Sequence, residues 1–91
     1  MWQNLQNQIK ALMDSTLVTY TELGKVVSVR MGMKVHSTEI SHAVNDERGA
    51  TRKGRQILRH SLDYLTEVQE SQNREVAQQM RRAEKALSNA K

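Results

Sequence analysis

Almost from end to end, the apolar residues of this chain recur three and four positions apart, and that period confines it to helices. Trp2, Leu5, Ile9, Leu12 and Met13 give a first amphipathic helix over residues 2–13, with Gln and Asn on its outer face and Asp14 and Ser15 interrupting it. Thr19 is followed three residues later by Glu22, the capping-box spacing that starts a second helix. That helix should bury Leu23, Val26, Val27 and Met31. Gly24 leaves room for another helix to approach, and Gly32 supplies a C-terminal stop. The β-branched Val26, Val27 and Val29 would also suit a strand, but the cap and the apolar spacing favour helix. Met31 and Met33 read as core filler at the junction.

Residues 45–50, NDERGA, have loop composition, and Thr51 can cap a long last helix whose apolar stripe is Ile57, Leu58, Leu62, Leu65 and Val68. From about Thr66 the chain is rich in Ala, Glu, Gln and Arg, without Gly or Pro, and is strongly helix-prone. Val76, Met80, Ala83 and Leu87 follow a four-three-four spacing compatible with a short coiled-coil seam, with Gln69 and Asn73 where the seam would extend backward. The expectation is an all-α, compact helix-turn-helix bundle of four to five helices with a long C-terminal helix. Residues 1–68 would form the domain, and 69–91 a helical extension that dimerises or frays.

Size restricts function. The chain has 91 residues, and its aromatic side chains are Trp2, Tyr20 and Tyr64 alone. A domain this small buries roughly 60 to 65% of its unfolded surface, enough for a few packed helices but little for an enclosed catalytic pocket. It has no cysteine, which excludes disulfides, thiol catalysis and thiolate metal sites. Apolar runs are only a few residues long, and the start MWQNLQNQIK has amides where a secretory signal carries cations. A cytoplasmic location is expected. His36, Glu39 and His42 match no familiar zinc spacing, and Gly49 and Gly54 lack the GKS or GKT ending of a phosphate loop. No enzymatic activity, metal or cofactor is implied.

The most informative stretch is Val35 to Asn45, VHSTEISHAVN. With Ser37 as N-cap, Ile40, Ala43 and Val44 fall on one side of a helix. Thr38, Ser41, His42 and Asn45 stand at i, i+3, i+4 and i+7, so they share the other. Solvent faces are ordinarily rich in long charged side chains. Small hydroxyls, an imidazole and an amide suit close approach to base edges in a major groove instead.

Charge points the same way. Net charge is +4, and residues 1–50 contribute none of it, with five basic and five acidic side chains. After Glu47 the run Arg48, Arg52, Lys53, Arg55 and Arg59 meets no acid, a local field suited to a polyanion. Cations in the first turns of a helix also oppose its dipole by tenths of a kcal/mol each, which suggests phosphate contact as their purpose.

The order of parts, Leu23-Gly24 in a capped helix, a glycine turn, VHSTEISHAVN, then a helix with a basic start, resembles small helix-turn-helix regulators of the lambda-repressor-like kind over residues 19–65. The recognition-helix pattern of that family falls on Ile40, Ser41, Ala43 and Asn45. Leu23 stands farther from Ile40 than is usual there, so the first motif helix or the turn must be longer. The resemblance implies base contacts near Ser37, Thr38, Ser41 and His42, and phosphate contacts from Arg52, Lys53 and Arg55.

Together these readings anticipate a sequence-specific double-stranded DNA-binding protein, a transcriptional regulator of phage or bacterial type acting as a homodimer. Ser37, Thr38, Ser41, His42 and Asn45 would meet bases, and Arg48, Arg52, Lys53, Arg55 and Arg59 would grip the backbone. The alternative is a small helical protein-interaction module, a phage or plasmid adaptor or an inhibitor of a host factor.

Overall fold

The computed structural model describes residues 2–89, with side chains through residue 85. Four helices follow one another: α1 (Trp2–Thr16), α2 (Tyr20–Met31), α3 (Ser37–Asn45) and α4 (Arg52–Asn89). A 3-10 turn, Glu47–Ala50, links the last two, and there is no strand among the described residues. The all-α architecture follows from the apolar period. One side chain or two from every helix meets in the middle: Ile9, Leu23, Val27, Ile40, Val44, Leu58 and Leu65 are all fully buried. Each contributes about 1.5 to 3 kcal/mol of transfer free energy, and the core is wholly aliphatic.

Several local signals act as their chemistry requires. Thr19 accepts the backbone N–H of Glu22 at 3.3 Å and starts α2. Gly32 ends it in the left-handed conformation, φ 65°, with its N–H returned to the carbonyl of Val29. Thr51 accepts the N–H of Gly54 at 3.0 Å at the head of α4. At Gly24 a Cβ would sit 3.3 Å from both the Ser37 nitrogen and the Val35 carbonyl, so the start of α3 packs directly on α2 there.

Other expectations need correction. Asp14 and Ser15 do not interrupt α1, which runs to Thr16. The Thr16 hydroxyl donates back to the Leu12 carbonyl at 2.7 Å, and the helix ends when Leu17 takes a positive φ of 64°. The Gln and Asn residues of α1 are not all on its outer face, because Gln6 is buried. His36, not Ser37, is the N-cap of α3, and no side chain caps it; the His36 carbonyl already accepts the N–H groups of Glu39 and Ile40, so Ser37 lies inside the first turn. Met33 is 47% exposed and so fills no core, while Met31 is half-buried against it. Within 45–50, residues 47–50 wind into a 3-10 turn rather than open loop, with the Asp46 side chain accepting the Arg48 N–H at 2.8 Å.

The molecule measures 60 × 25 × 16 Å. Its length is that of α4, since 38 residues at about 1.5 Å per residue span roughly 57 Å. α4 passes residue 68 without a break. Ser15 donates to Gln69 at 2.7 Å, and Gln72 donates to the Thr16 carbonyl at 3.2 Å, so the bundle holds α4 as far as Gln72. On the other flank Arg30 of α2 bonds Glu67 at 2.8 Å and lies 5.7 Å over the Tyr64 ring. Leu87, the last position of the expected seam, lies outside the residues whose side chains are described.

Candidate nucleic-acid interface

α3 turns Ile40, Ala43 and Val44 inward, which fixes its opposite face toward solvent. Thr38, His42 and Asn45 are exposed there, and Ser37 and Ser41 are half-exposed. All five side chains expected to read bases therefore reach the surface of one short helix. Three of them are already engaged within the protein, Ser41 through its hydroxyl, which accepts the Asn45 amide at 3.4 Å. The Asn45 amide donates to the Tyr20 hydroxyl at 3.0 Å and to the Ser41 carbonyl at 2.8 Å, tying the end of α3 to the start of α2. His42 Nδ1 lies 2.9 Å from an Asp46 carboxylate oxygen. The Arg48 backbone N–H, with His42 behind it, holds the Asp46 carboxyl below the usual carboxylate range.

The cations divide into two groups. Arg48 and Lys53 border α3: together with Glu39, His42, Thr51 and Ile57 they line a shallow cleft of about 220 Å3. Lys53 bonds Glu39 at 2.8 Å, which lowers the Glu39 pKa and leaves Lys53 with little free charge on that side. Arg52, Arg55 and Arg59 recur at i, i+3 and i+7, a separate stripe of α4. Arg55 and Arg59 face α1, lining a cleft with Trp2, Asn4, Leu5 and Gln8. Of the five cations expected to grip the backbone, the fold brings Arg48 and Lys53 beside His42 and turns Arg55 and Arg59 toward α1.

Two cations that the sequence reading passed over stand beside α3 instead. A groove between α2 and the start of α3 is lined by Thr21, Lys25, Val29, Lys34, His36 and Ser37. Lys25 and Lys34 are isolated in a neutral half of the chain; Lys34 lies in the turn just before α3, and the contact at Gly24 brings Lys25 beside it. Ser28 fixes that contact. Its hydroxyl donates to the Gly24 carbonyl at 2.6 Å and accepts the Val35 N–H at 2.7 Å, pinning the five-residue turn Gly32–His36 to α2. A serine between Val27 and Val29 in mid-helix was the available signal, because such a hydroxyl commonly bonds the carbonyl four residues back.

Gln6 was missed as well. It crosses from α1 and donates to the carbonyls of Ala43 at 2.8 Å and Asp46 at 2.9 Å, closing the C-terminal end of α3 from below. Gly49 makes the room, since a Cβ there would press on both Gln6 and the Ala43 carbonyl. α3 is thus gripped at its head by Ser28 and Gly24 and at its tail by Gln6. Its outer face is open to solvent.

The described residues contain no cluster of three His, Asp or Glu side chains placed for a metal, and no helix among them is long and apolar enough to cross a membrane. The chain matches no protein-family model, no curated protein and no solved structure.

Proposed function

We propose that this protein binds double-stranded DNA by laying the outer face of α3 in the major groove, and that it regulates transcription in the manner of the helix-turn-helix proteins it resembles. The observation that supports this is the uncharged, hydrogen-bonding face of α3, held at both ends by the bundle, with cations on either side of it. Thr38, Ser41 and His42 are the base-reading residues. In the neutral imidazole with Nδ1–H given to Asp46, Nε2 is an acceptor suited to the amino group of adenine or cytosine. Asn45 reads bases only by giving up its bond to Tyr20, so its role is to hold the helix end. Lys25 and Lys34 on one flank and Arg48 on the other meet the two phosphate strands, and Lys53 joins them only by giving up its bond to Glu39.

Fluorescence anisotropy with labelled random-sequence duplex tests the reading. Micromolar or tighter binding that weakens steeply with salt is expected. The competing reading, a module that binds another protein, draws on the uncovered face of α4 beyond Gln72. Absence of DNA binding at low salt would favour it.

A further inference from the structure

Beyond Gln72, α4 leaves the bundle. Every described side chain from Asn73 to Lys85 is exposed, among them Val76 at 54% and Met80 at 61%. These two lie on the face of α4 that, farther back, buries Leu58 and Leu65, so the core stripe continues with nothing on it. A free helical arm of this length is marginal in water unless it packs on something.

We infer that the arm pairs with the same arm of a second copy, in antiparallel orientation, about a two-fold axis at Gln78. Two features of the sequence select this occupant. Asn73, Val76, Met80 and Ala83 are spaced three, four, three, which reads the same in both directions about residue 78. Antiparallel pairing sets Val76 beside Met80 of the second copy and Asn73 beside its Ala83, large against large and polar against small. Parallel pairing would set Met80 against Met80 and Asn73 against Asn73.

Charge selects the same orientation. Residues 66–75 hold Glu67, Glu70 and Glu75 against Arg74, whereas 76–85 hold Arg81, Arg82 and Lys85 against Glu84, so one half is acidic and the other basic. Only the antiparallel arrangement opposes the two. Each pair is exposed and worth tenths of a kcal/mol, and the alternative sets the two net-acidic halves together and the two net-basic halves together.

A third feature lies on the bundle. Leu17 is 83% exposed, with a backbone conformation that leucine rarely adopts. It follows directly on Thr16, whose carbonyl receives the Gln72 bond. The symmetric register places the segment around Glu84 of the second copy against Gln72, and so beside Leu17. The pairing is independent of the DNA reading, because no residue of the α3 face takes part in it.

The absence of cysteine makes orientation directly measurable. Asn73→Cys and Ala83→Cys chains, one of them tagged, are mixed at equal concentration and oxidised, with circular dichroism confirming that both keep the helical fold. The expected result is a disulfide between the two different chains in large excess over either same-site product. Predominance of same-site disulfides overturns the antiparallel pairing. Sedimentation velocity of the unaltered protein without DNA should show a dimer that grows with concentration and dissociates with Arg81→Glu, because this register sets Arg81 opposite Glu75 of the second copy. A monomer up to hundreds of micromolar overturns the proposal whether or not the protein binds DNA.

Discussion

The Gln6 carboxamide donates to the Ala43 carbonyl at 2.8 Å across 37 residues of sequence, joining the first helix of the chain to the end of the helix proposed to read DNA. The carbonyls at a helix end have no partner within the helix, and here a side chain supplies one. Gln6→Leu keeps the bulk and removes the donor. It should lower stability by about 1 to 3 kcal/mol, read as the urea midpoint, because the Ala43 carbonyl stays buried without its bond. An unchanged midpoint would mean that water serves as well as Gln6. Gly49→Ala should destabilise by the same route, by pushing this amide aside.

Ser61 is fully buried, and its hydroxyl has no hydrogen-bond partner. A buried hydroxyl without a partner carries a desolvation penalty that alanine lacks, and the two differ little in volume. Ser61→Ala should therefore leave stability unchanged or raise it by up to about 1 kcal/mol. A clear loss in thermal denaturation would contradict this account of the core.

Leu17 ends α1 in the left-handed region, where a side chain costs about 1 to 2 kcal/mol and glycine costs nothing sterically. The side chain is exposed, so its removal forfeits little burial within one molecule. Leu17→Gly should raise the melting temperature of dilute protein by a few degrees, after allowance for the extra freedom of glycine in the unfolded chain. The same change should weaken self-association in sedimentation if the second copy's arm covers this position.

Acid should weaken the contacts at both ends of α3. The Asp46 and Glu39 carboxyls both titrate lower in the folded chain than in the unfolded one, Asp46 chiefly through the Arg48 N–H and Glu39 through Lys53. Each contribution is present above the unfolded pKa and is lost as pH falls through the lower folded pKa, below about pH 4. Stability measured against pH should fall over that range. Asp46→Asn should flatten part of the fall, and an identical acid limb in the variant would remove Asp46 from the explanation.

The division of the cations separates their effects on DNA. Arg48→Ala and Lys34→Ala should weaken binding to every duplex alike and each reduce the salt slope by about one. Arg59→Ala, on the stripe that faces α1, should change affinity less than either. Ser41 and His42 substitutions should alter which sequence is preferred, at about 1 to 3 kcal/mol per base contact. With arms paired at Gln78, the two copies' Lys53 positions lie about 75 Å apart along the helix axis, which suits half-sites roughly two turns of duplex apart.

The helices were legible because their signals are local. Apolar spacing, Thr19, Gly32 and Thr51 each act within a turn of themselves, so the all-α architecture and the outward polar face of α3 could be read from neighbours in the chain. Reading failed where a residue's partner is distant in sequence. Gln6 looks like one more surface amide until the Ala43 carbonyl is brought to it, and Ser28 looks like an interruption until Val35 folds back. The cationic run misled for a related reason: residues consecutive in sequence point in different directions on a helix, so Lys53 meets α3 while Arg55 and Arg59 meet α1.

What the sequence determined alone was the set of α-helices and the apolar stripe of each, since backbone hydrogen bonding and apolar period need only near neighbours. Which cations flank α3, which amide closes its end and how far the bundle holds α4 were decided by tertiary packing. Those properties depend on how the elements pack, and packing is set by residues such as Gly24 and Gly49, whose lack of a side chain matters only when another part of the chain arrives.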